Sequence, residues 1–265
     1  MVNWSMKKSY NCRDLMEIVR ILRHPGGCPW DQEQTHASIR RNFLEEVYEA
    51  AEAIDREDLD GLKEELGDVL LQVFFHTSIE EDAGNFNLDD VADGVCKKLI
   101  YRHPHVFGDV AVGSTGEVLA NWEELKKKEK HQDTQADAVD AVARTLPALW
   151  RAEKMKKKAA KAGFDWKDVS GALDKLSEEL EELKAAALDG DGDPAEELGD
   201  VLFAAVCVGR FLEADPEDAL HAACGKFALR FRKMEELAAQ RGQTLDKLGE
   251  GEQLSLWNEA KRALD

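Results

Sequence analysis

The chain has 265 residues and a formal net charge of −19, from 54 acidic and 35 basic residues. This charge argues against binding to a nucleic-acid backbone, because proteins that do so present a basic surface. Hydrophobic residues make up 43% of the chain. That proportion can fill a packed core and argues against global disorder.

The cysteines and the apolar runs indicate the compartment. Five cysteines are an odd number and form no CxxC pair, so we expect neither a disulfide framework nor a zinc ribbon. The longest apolar run, VLFAAVCV at 201–208, is far shorter than the roughly 20 residues of a membrane-spanning helix. The polar N-terminal segment carries no apolar signal sequence. We therefore expect a cytoplasmic protein without a membrane partner.

Helical patterns dominate the chain. Long segments rich in Ala, Leu, Glu and Lys lie between six prolines, and no segment shows the alternation of a strand. The predicted fold is therefore all-α. In chain order, the predicted helices cover residues 11–23, 33–55, 59–82, 88–101, 117–130, 147–161, 170–188, 195–213, 217–240 and 252–264.

The chain contains an internal repeat. The segment EELGDVL occurs at 64–70 and again at 196–202, and an EExxE element precedes each copy. KxxxR and then WxxxK elements follow each copy, and the four sets of equivalent positions lie 133, 132, 128 and 135 residues apart. A duplication with small changes in loop length explains this pattern. Because the polar stretch 131–143 separates the halves, we predict two tandem helical-bundle domains, 1–135 and 136–265.

Each half carries two pairs of carboxylates. The paired acidic residues of EExxE and of ExxD lie three residues apart, which places each pair on one helix face. Two such helices side by side would bring four carboxylates to one point, where divalent cations would neutralise their repulsion. Oxygen ligands favour Mg²⁺ or Mn²⁺ over zinc. The carboxylates are Glu46, Glu49, Glu65 and Asp68 in the first half and Glu179, Glu182, Glu197 and Asp200 in the second.

The alternative is a solvated acidic helix face, which is common for an EExxE element taken alone. Asp200 argues against it, since it precedes the apolar run 201–208, which we expect to be buried on every side. Gly67 and Gly199 lie inside predicted helices, where glycine costs roughly 1 kcal/mol relative to alanine. We expect a ligand or a neighbouring helix to approach both glycines closely.

Basic and aromatic residues follow the carboxylates in both halves. For a single KxxxR pair, salt bridges to nearby glutamates are a sufficient explanation. Repetition in register with the carboxylates favours binding of phosphate oxygens instead. The tryptophans could stack on a base, although tryptophan at helical spacing is more often a core residue. The residues are Lys98, Arg102, Trp122 and Lys126 in the first half and Lys226, Arg230, Trp257 and Lys261 in the second.

This ordered set of motifs resembles the MazG family of nucleoside triphosphate pyrophosphohydrolases, within the all-α NTP pyrophosphatase superfamily. The first half adds GGCPWDQEQTH at 26–36 and RHPHVFGD at 102–109, which are similar to further MazG signatures. The resemblance covers nearly the whole chain. It implies Mg²⁺-dependent hydrolysis of a nucleoside triphosphate to the monophosphate and pyrophosphate, by a homodimer whose helices complete the site.

The resemblance also implies roles for residues. The eight carboxylates correspond to metal ligands, and Lys226, Arg230 and Trp257 to nucleotide contacts. Adjacency alone makes Glu178 or Glu45 a candidate general base toward an attacking water. The second half lacks the HPHVFG segment but keeps every element of the motif skeleton. Both halves therefore retain the chemistry, and the resemblance favours the second as the active one.

Two other classes of protein are alternatives. A di-iron carboxylate bundle requires two ExxH motifs, and the chain does not carry two. A non-catalytic acidic helical adaptor would need neither metals nor the repeated basic positions. An ordinary P-loop NTPase is disfavoured because the chain has no GxxxxGK[ST] sequence.

Overall fold

The computed structural model describes residues 4–129 and 134–264. Within these ranges the chain forms helices and no strand, so the all-α prediction is confirmed. Each predicted helix is present, with ends shifted by three residues at most. No helix in the described part of the chain is both long enough and apolar enough to cross a membrane.

The chain divides into two compact units, Met1–Lys126 and Lys127–Asp265. The first contains α1 (Cys12–Arg23), α2 (Pro29–Glu33), α3 (His36–Asp55), α4 (Leu59–Asp82), α5 (Leu88–Arg102), α6 (Pro104–Phe107) and most of α7 (Thr115–Glu129). The second contains α8 (Gln135–Asp140), α9 (Ala148–Lys161), α10 (Val169–Asp189), α11 (Pro194–Phe211), α12 (Pro216–Gln240), a 3₁₀ helix (Leu245–Lys247) and α13 (Glu250–Leu264).

The first unit is built on the antiparallel pair α3 and α4. Thr35 caps α3 by accepting a hydrogen bond from the Ser38 amide, and Asp58 caps α4 by accepting one from the Gly61 amide. Helix α1 packs along α4. The buried core lies among these three helices and contains Met16, Val19, Ile39, Phe74 and Phe75. The short connection after α3 sets the EExxE segment opposite the ExxD segment of α4.

The second unit repeats this arrangement with α10 and α11. Gly190 ends α10 in the left-handed region, with φ of +73°, which glycine adopts without steric cost. Asp193 caps α11 by accepting a hydrogen bond from the Ala195 amide. Helix α9 packs against α11 and α12, and α12 pairs with α13. The core between the last two helices contains Met234, Ala238, Leu256 and Ala260.

Burial of the run 201–208 differs from the prediction. Ala204, Val206 and Cys207 are buried, but Leu202 is 49% exposed and Phe203 is 40% exposed. The expectation of burial on every side is therefore wrong for the single chain. The reason is that α9 and α10 are the main packing partners of α11 and cover only part of its circumference.

The predicted junction 131–143 is not polar throughout in its described part. Residues 131–133 lie outside the described residues, but Thr134 caps α8. Ala138 and Val142 are buried, and α8 packs on α9. Part of the predicted junction therefore contributes apolar side chains to the second unit.

Candidate metal centres

The first cluster lies between α3 and α4. Glu46, Glu49 and Glu65 each offer one carboxylate oxygen, and these oxygens lie within 4.8 Å of one another. Glu46 and Glu65 are half-buried, whereas Glu49 is exposed. Partial burial raises the pKa of Glu46 above its ordinary value, and the nearby charges of Asp68 and Glu49 raise it further. Asp68 thus lies close enough to act electrostatically on the cluster.

The pKa of Glu65 is raised in the same way, by partial burial first and then by the charges of Glu49 and Asp68. Both pKa shifts therefore have the same two causes. Partial burial penalises the charged form, and the ionised carboxylates repel one another in a cluster that is short of positive charge.

The second cluster lies between α10 and α11. Glu179, Glu197 and Asp200 offer oxygens within 4.8 Å of one another. Glu179 is buried, Glu197 is half-buried and Asp200 is exposed. The fourth predicted carboxylate, Glu182, is hydrogen-bonded to Glu179, and this bond raises the pKa of Glu182 because it favours the protonated form.

Both donor sets suit a hard divalent cation. Oxygen-to-metal distances of about 2.0–2.6 Å place the ligands of one ion within about 5 Å of one another. The oxygens of each cluster satisfy that limit, since they lie within 4.8 Å. Six of the eight carboxylates named from the sequence form the two three-oxygen groups.

A cavity of about 430 Å³ opens along α11 and is lined in part by Arg144, Arg151, Gly199, Leu202 and Phe203. A Cβ atom added at Gly199 would meet nothing within 4 Å, and the same holds at Gly67. The expectation that a neighbouring helix approaches these glycines closely is therefore wrong within one chain. Gly199, the residue before Asp200, faces open space.

The candidate general bases lie just outside the three-oxygen groups. Glu178 accepts a hydrogen bond from Lys175 at 2.7 Å, and Glu45 accepts one from Arg41 at 2.8 Å. Both glutamates are exposed. Lys175 was not among the predicted site residues, although its position four residues before Glu179 on a helix is the spacing of an ion pair.

In the first unit, two basic side chains lie against the ring of Trp122. The Arg102 guanidinium lies 5.3 Å from the centre of the Trp122 ring, and the Lys126 ammonium lies 4.7 Å from it. Arg102 is buried and Lys98 is half-buried. Trp122 thus serves here as a cation–π partner for the predicted phosphate-binding Arg102 and for Lys126.

In the second unit the corresponding tryptophan belongs partly to the core. Trp257 packs against the α12–α13 core and lies 5.2 Å from the Phe227 ring. Arg230 is half-buried, while Lys226 and Lys261 are exposed. Helix α12 packs mainly on α9 and α13, whereas the carboxylates lie on α10 and α11.

The geometry defines an all-α protein in which two helix pairs each present a group of converging carboxylates. Residues 34–107, which include the first cluster, match the MazG nucleotide pyrophosphohydrolase domain. The chain is 42% identical over 252 residues to the Escherichia coli K12 protein named nucleoside triphosphate pyrophosphohydrolase, covering 94% of this chain and 96% of that protein.

Two further relatives span a similar share of the chain. One is the nucleoside triphosphate pyrophosphohydrolase/pyrophosphatase MazG of Thermotoga maritima, 44% identical over 94% of each protein. The other is the uncharacterized protein YabN of Bacillus subtilis, 49% identical over 92% of this chain and 50% of that protein. The chain belongs to the MazG family, which confirms the resemblance drawn from its motifs.

Proposed function

We propose that this protein hydrolyses nucleoside triphosphates to nucleoside monophosphates and pyrophosphate, using Mg²⁺ or Mn²⁺. The observation that carries the proposal is the pair of three-carboxylate groups on α3–α4 and α10–α11, in a member of a family whose relatives are named for this reaction. A solvated acidic face would not require such convergence of oxygens between two helices.

In this proposal, each cluster holds the cations that accompany the substrate. Bound divalent cations would neutralise the phosphate oxygens. The second cluster would use Glu179, Glu182, Glu197 and Asp200, and the first would use Glu46, Glu49, Glu65 and Asp68. Glu178 lies one residue from Glu179 and, as a general base, would accept the proton of the attacking water. In the first unit, Glu45 lies one residue before Glu46 and would have the same role.

The basic residues complete the charge balance. Lys226 and Arg230 would bind phosphate oxygens that the cations leave uncovered, with Lys98 and Arg102 as first-unit counterparts. Trp257 and Trp122 would contact the nucleotide, with Lys261 and Lys126 beside them. We further propose that the tandem domains 1–135 and 136–265 are both MazG-like, and that the second is the active one.

The apolar surface of the second unit supports a homodimer. All of 219–229 on α12 is exposed, and Leu220, Phe227 and Leu229 are each more than half exposed. Leu202 and Phe203 on α11 are exposed as well. Exposed apolar patches of this kind mark protein interfaces. A second copy that covers α12 would also bury the helix that carries Lys226 and Arg230, in line with a site that the dimer completes.

Sedimentation of two variants tests the proposed dimer. Leu202→Glu is expected to weaken self-association by about tenfold or more, because a charge would be buried against apolar surface. Leu188→Glu, at an exposed leucine in the last turn of α10, is the matched control and is expected to leave association unchanged. A stable monomer for the unmodified protein, with full activity, would contradict the dimer.

Because the pKa of Glu46 is raised in the folded protein, the melting temperature should depend on pH at this residue. A carboxyl whose pKa is higher in the folded state stabilises the fold at low pH, and this contribution is lost as the pH rises through the folded pKa. Without metal, Glu46→Gln is therefore expected to melt at a higher temperature than the unmodified protein at about pH 7.5, with the difference vanishing near pH 4.

Addition of Mg²⁺ is expected to reverse that order, since only the unmodified cluster can bind the cation fully. Glu33→Gln, at an exposed glutamate of α2, is the control and is expected to show neither effect. Calorimetric melting curves without and with Mg²⁺ measure the metal-free difference in melting temperature and its reversal. A metal-free Glu46→Gln protein that melts lower than the unmodified one at neutral pH would contradict the electrostatic account.

The direct test of the function is product identification after incubation with a panel of NTPs and dNTPs. Monophosphate and pyrophosphate are expected as the first products. Diphosphate and orthophosphate would overturn the proposal, because cleavage would then occur at the wrong bond. Calorimetry with Mg²⁺ and an NTP separates the enzyme from a non-catalytic acidic adaptor, which would bind neither.

We also propose a cytoplasmic location, without membrane or nucleic-acid partners. All five cysteines are free thiols, which suits a reducing compartment.

A further inference from the structure

One ammonium group bridges two carboxylates at the second cluster. Lys175 Nζ lies 2.7 Å from Glu178 Oε1 and 2.8 Å from Glu179 Oε1. The Glu179 side chain is 9% exposed and that of Lys175 is 35% exposed. Lys175 therefore binds the candidate general base and a member of the three-carboxylate group at the same time.

The first cluster has no lysine at the equivalent position. Glu46 corresponds to Glu179 at a separation of 133 residues, and the same separation relates Lys175 to Asn42. In this helix the EExxE element is paired instead with Arg41, whose side chain is 87% exposed and whose Nε lies 2.8 Å from Glu45 Oε1. The two units therefore differ in where a basic side chain meets the EExxE element.

This difference has an electrostatic consequence. Adjacent carboxylates repel each other, and a shared ammonium holds them together. The same ammonium opposes a divalent cation at Glu179, because two cations then compete for one carboxylate. Lys175 thus favours order among the carboxylates at the expense of affinity for a free metal ion.

Resting on the proposed function, we propose that Lys175 is a positioning residue of the second unit. It holds Glu178 beside Glu179, and it shares the Glu179 carboxylate with the divalent cation. The second cluster consequently binds free metal weakly and favours a cation that arrives with the negative charge of a triphosphate. The first cluster, with Asn42 in the equivalent place, binds free metal more tightly.

The test measures Mn²⁺ binding by electron paramagnetic resonance in the full chain, with one cluster disabled at a time. In a Glu46→Gln, Glu49→Gln background, only the second cluster remains intact. There, Lys175→Asn is expected to tighten Mn²⁺ binding by about threefold or more. The same change is expected to lower kcat for an NTP by about tenfold, since Glu178 is no longer held.

Two further variants provide the controls. Lys175→Arg keeps the positive charge, so we expect weak Mn²⁺ binding and partial recovery of kcat. In a Glu179→Gln, Glu182→Gln background, Asn42→Lys places the missing cation in the first cluster. It is expected to weaken Mn²⁺ binding there by about threefold. Circular dichroism confirms that each variant is folded.

Opposite results would overturn the proposal. Parallel loss of Mn²⁺ binding and turnover in folded Lys175→Asn would mean that the lysine only supports the cluster. Unchanged binding in both the Lys175→Asn and Asn42→Lys variants would also contradict it. A parent protein that binds Mn²⁺ but hydrolyses no NTP would overturn the proposed function, while the two binding comparisons would still decide the role of Lys175.

Discussion

Glu179→Gln is expected to lower kcat for nucleoside triphosphate hydrolysis by about a hundredfold or more. Glutamine keeps the shape of the side chain but removes its negative charge. Glu179 is the buried member of the group that it forms with Glu197 and Asp200. Metal binding should therefore suffer more than helix packing. Pyrophosphate release at saturating Mg²⁺ measures the effect, and circular dichroism checks the fold.

The matched variant is Glu46→Gln in the first cluster, which has the equivalent position in α3. It is expected to retain a substantial fraction of turnover, because we assign catalysis to the second unit. Glu182→Gln and Glu49→Gln form a second pair with the same expected order. Greater loss from the first-unit variants would reverse the assignment, and partial loss from both would mean that the clusters share the work. Full activity in all four would identify the carboxylates as a solvated face.

Removal of divalent cations is expected to reduce turnover by roughly a thousandfold. A triphosphate is highly negative, and it must approach acidic clusters in a chain whose net charge is −19. Without cations between them, this approach is repulsive. Activity after treatment with EDTA, followed by addition of Mg²⁺ or Mn²⁺ in excess, measures the requirement. Undiminished turnover in EDTA would contradict a metal-dependent reaction.

The long helices could be predicted because each presents several turns of a regular apolar pattern. Helix α4 was predicted with both of its ends correct, at 59 and 82. Helices α2 and α6, and α8 in the expected junction, were missed because four to six residues carry no measurable period. The ends of the long helices were close because Asp, Asn and Thr side chains cap them.

The carboxylate clusters were also predictable, since spacing of three residues on consecutive antiparallel helices brings the pairs together. Glu46 and Glu65 follow that rule without further information. The exposure of Phe203 could not be predicted, because an apolar pattern shows that a surface needs a partner but not whether the same chain supplies it. The contact between Trp257 and Phe227 likewise depends on how α12 and α13 pack.

We propose that the carboxylate clusters hold the divalent cations for a cleavage that releases pyrophosphate. Phosphorus NMR of an NTP incubated with Mg²⁺ tests this proposal by comparing the unmodified protein with a Glu46→Gln, Glu179→Gln double variant. We expect resonances of monophosphate and pyrophosphate with the unmodified protein and intact triphosphate with the double variant. Release of orthophosphate and diphosphate, or pyrophosphate release at an equal rate by the folded double variant, would contradict the account.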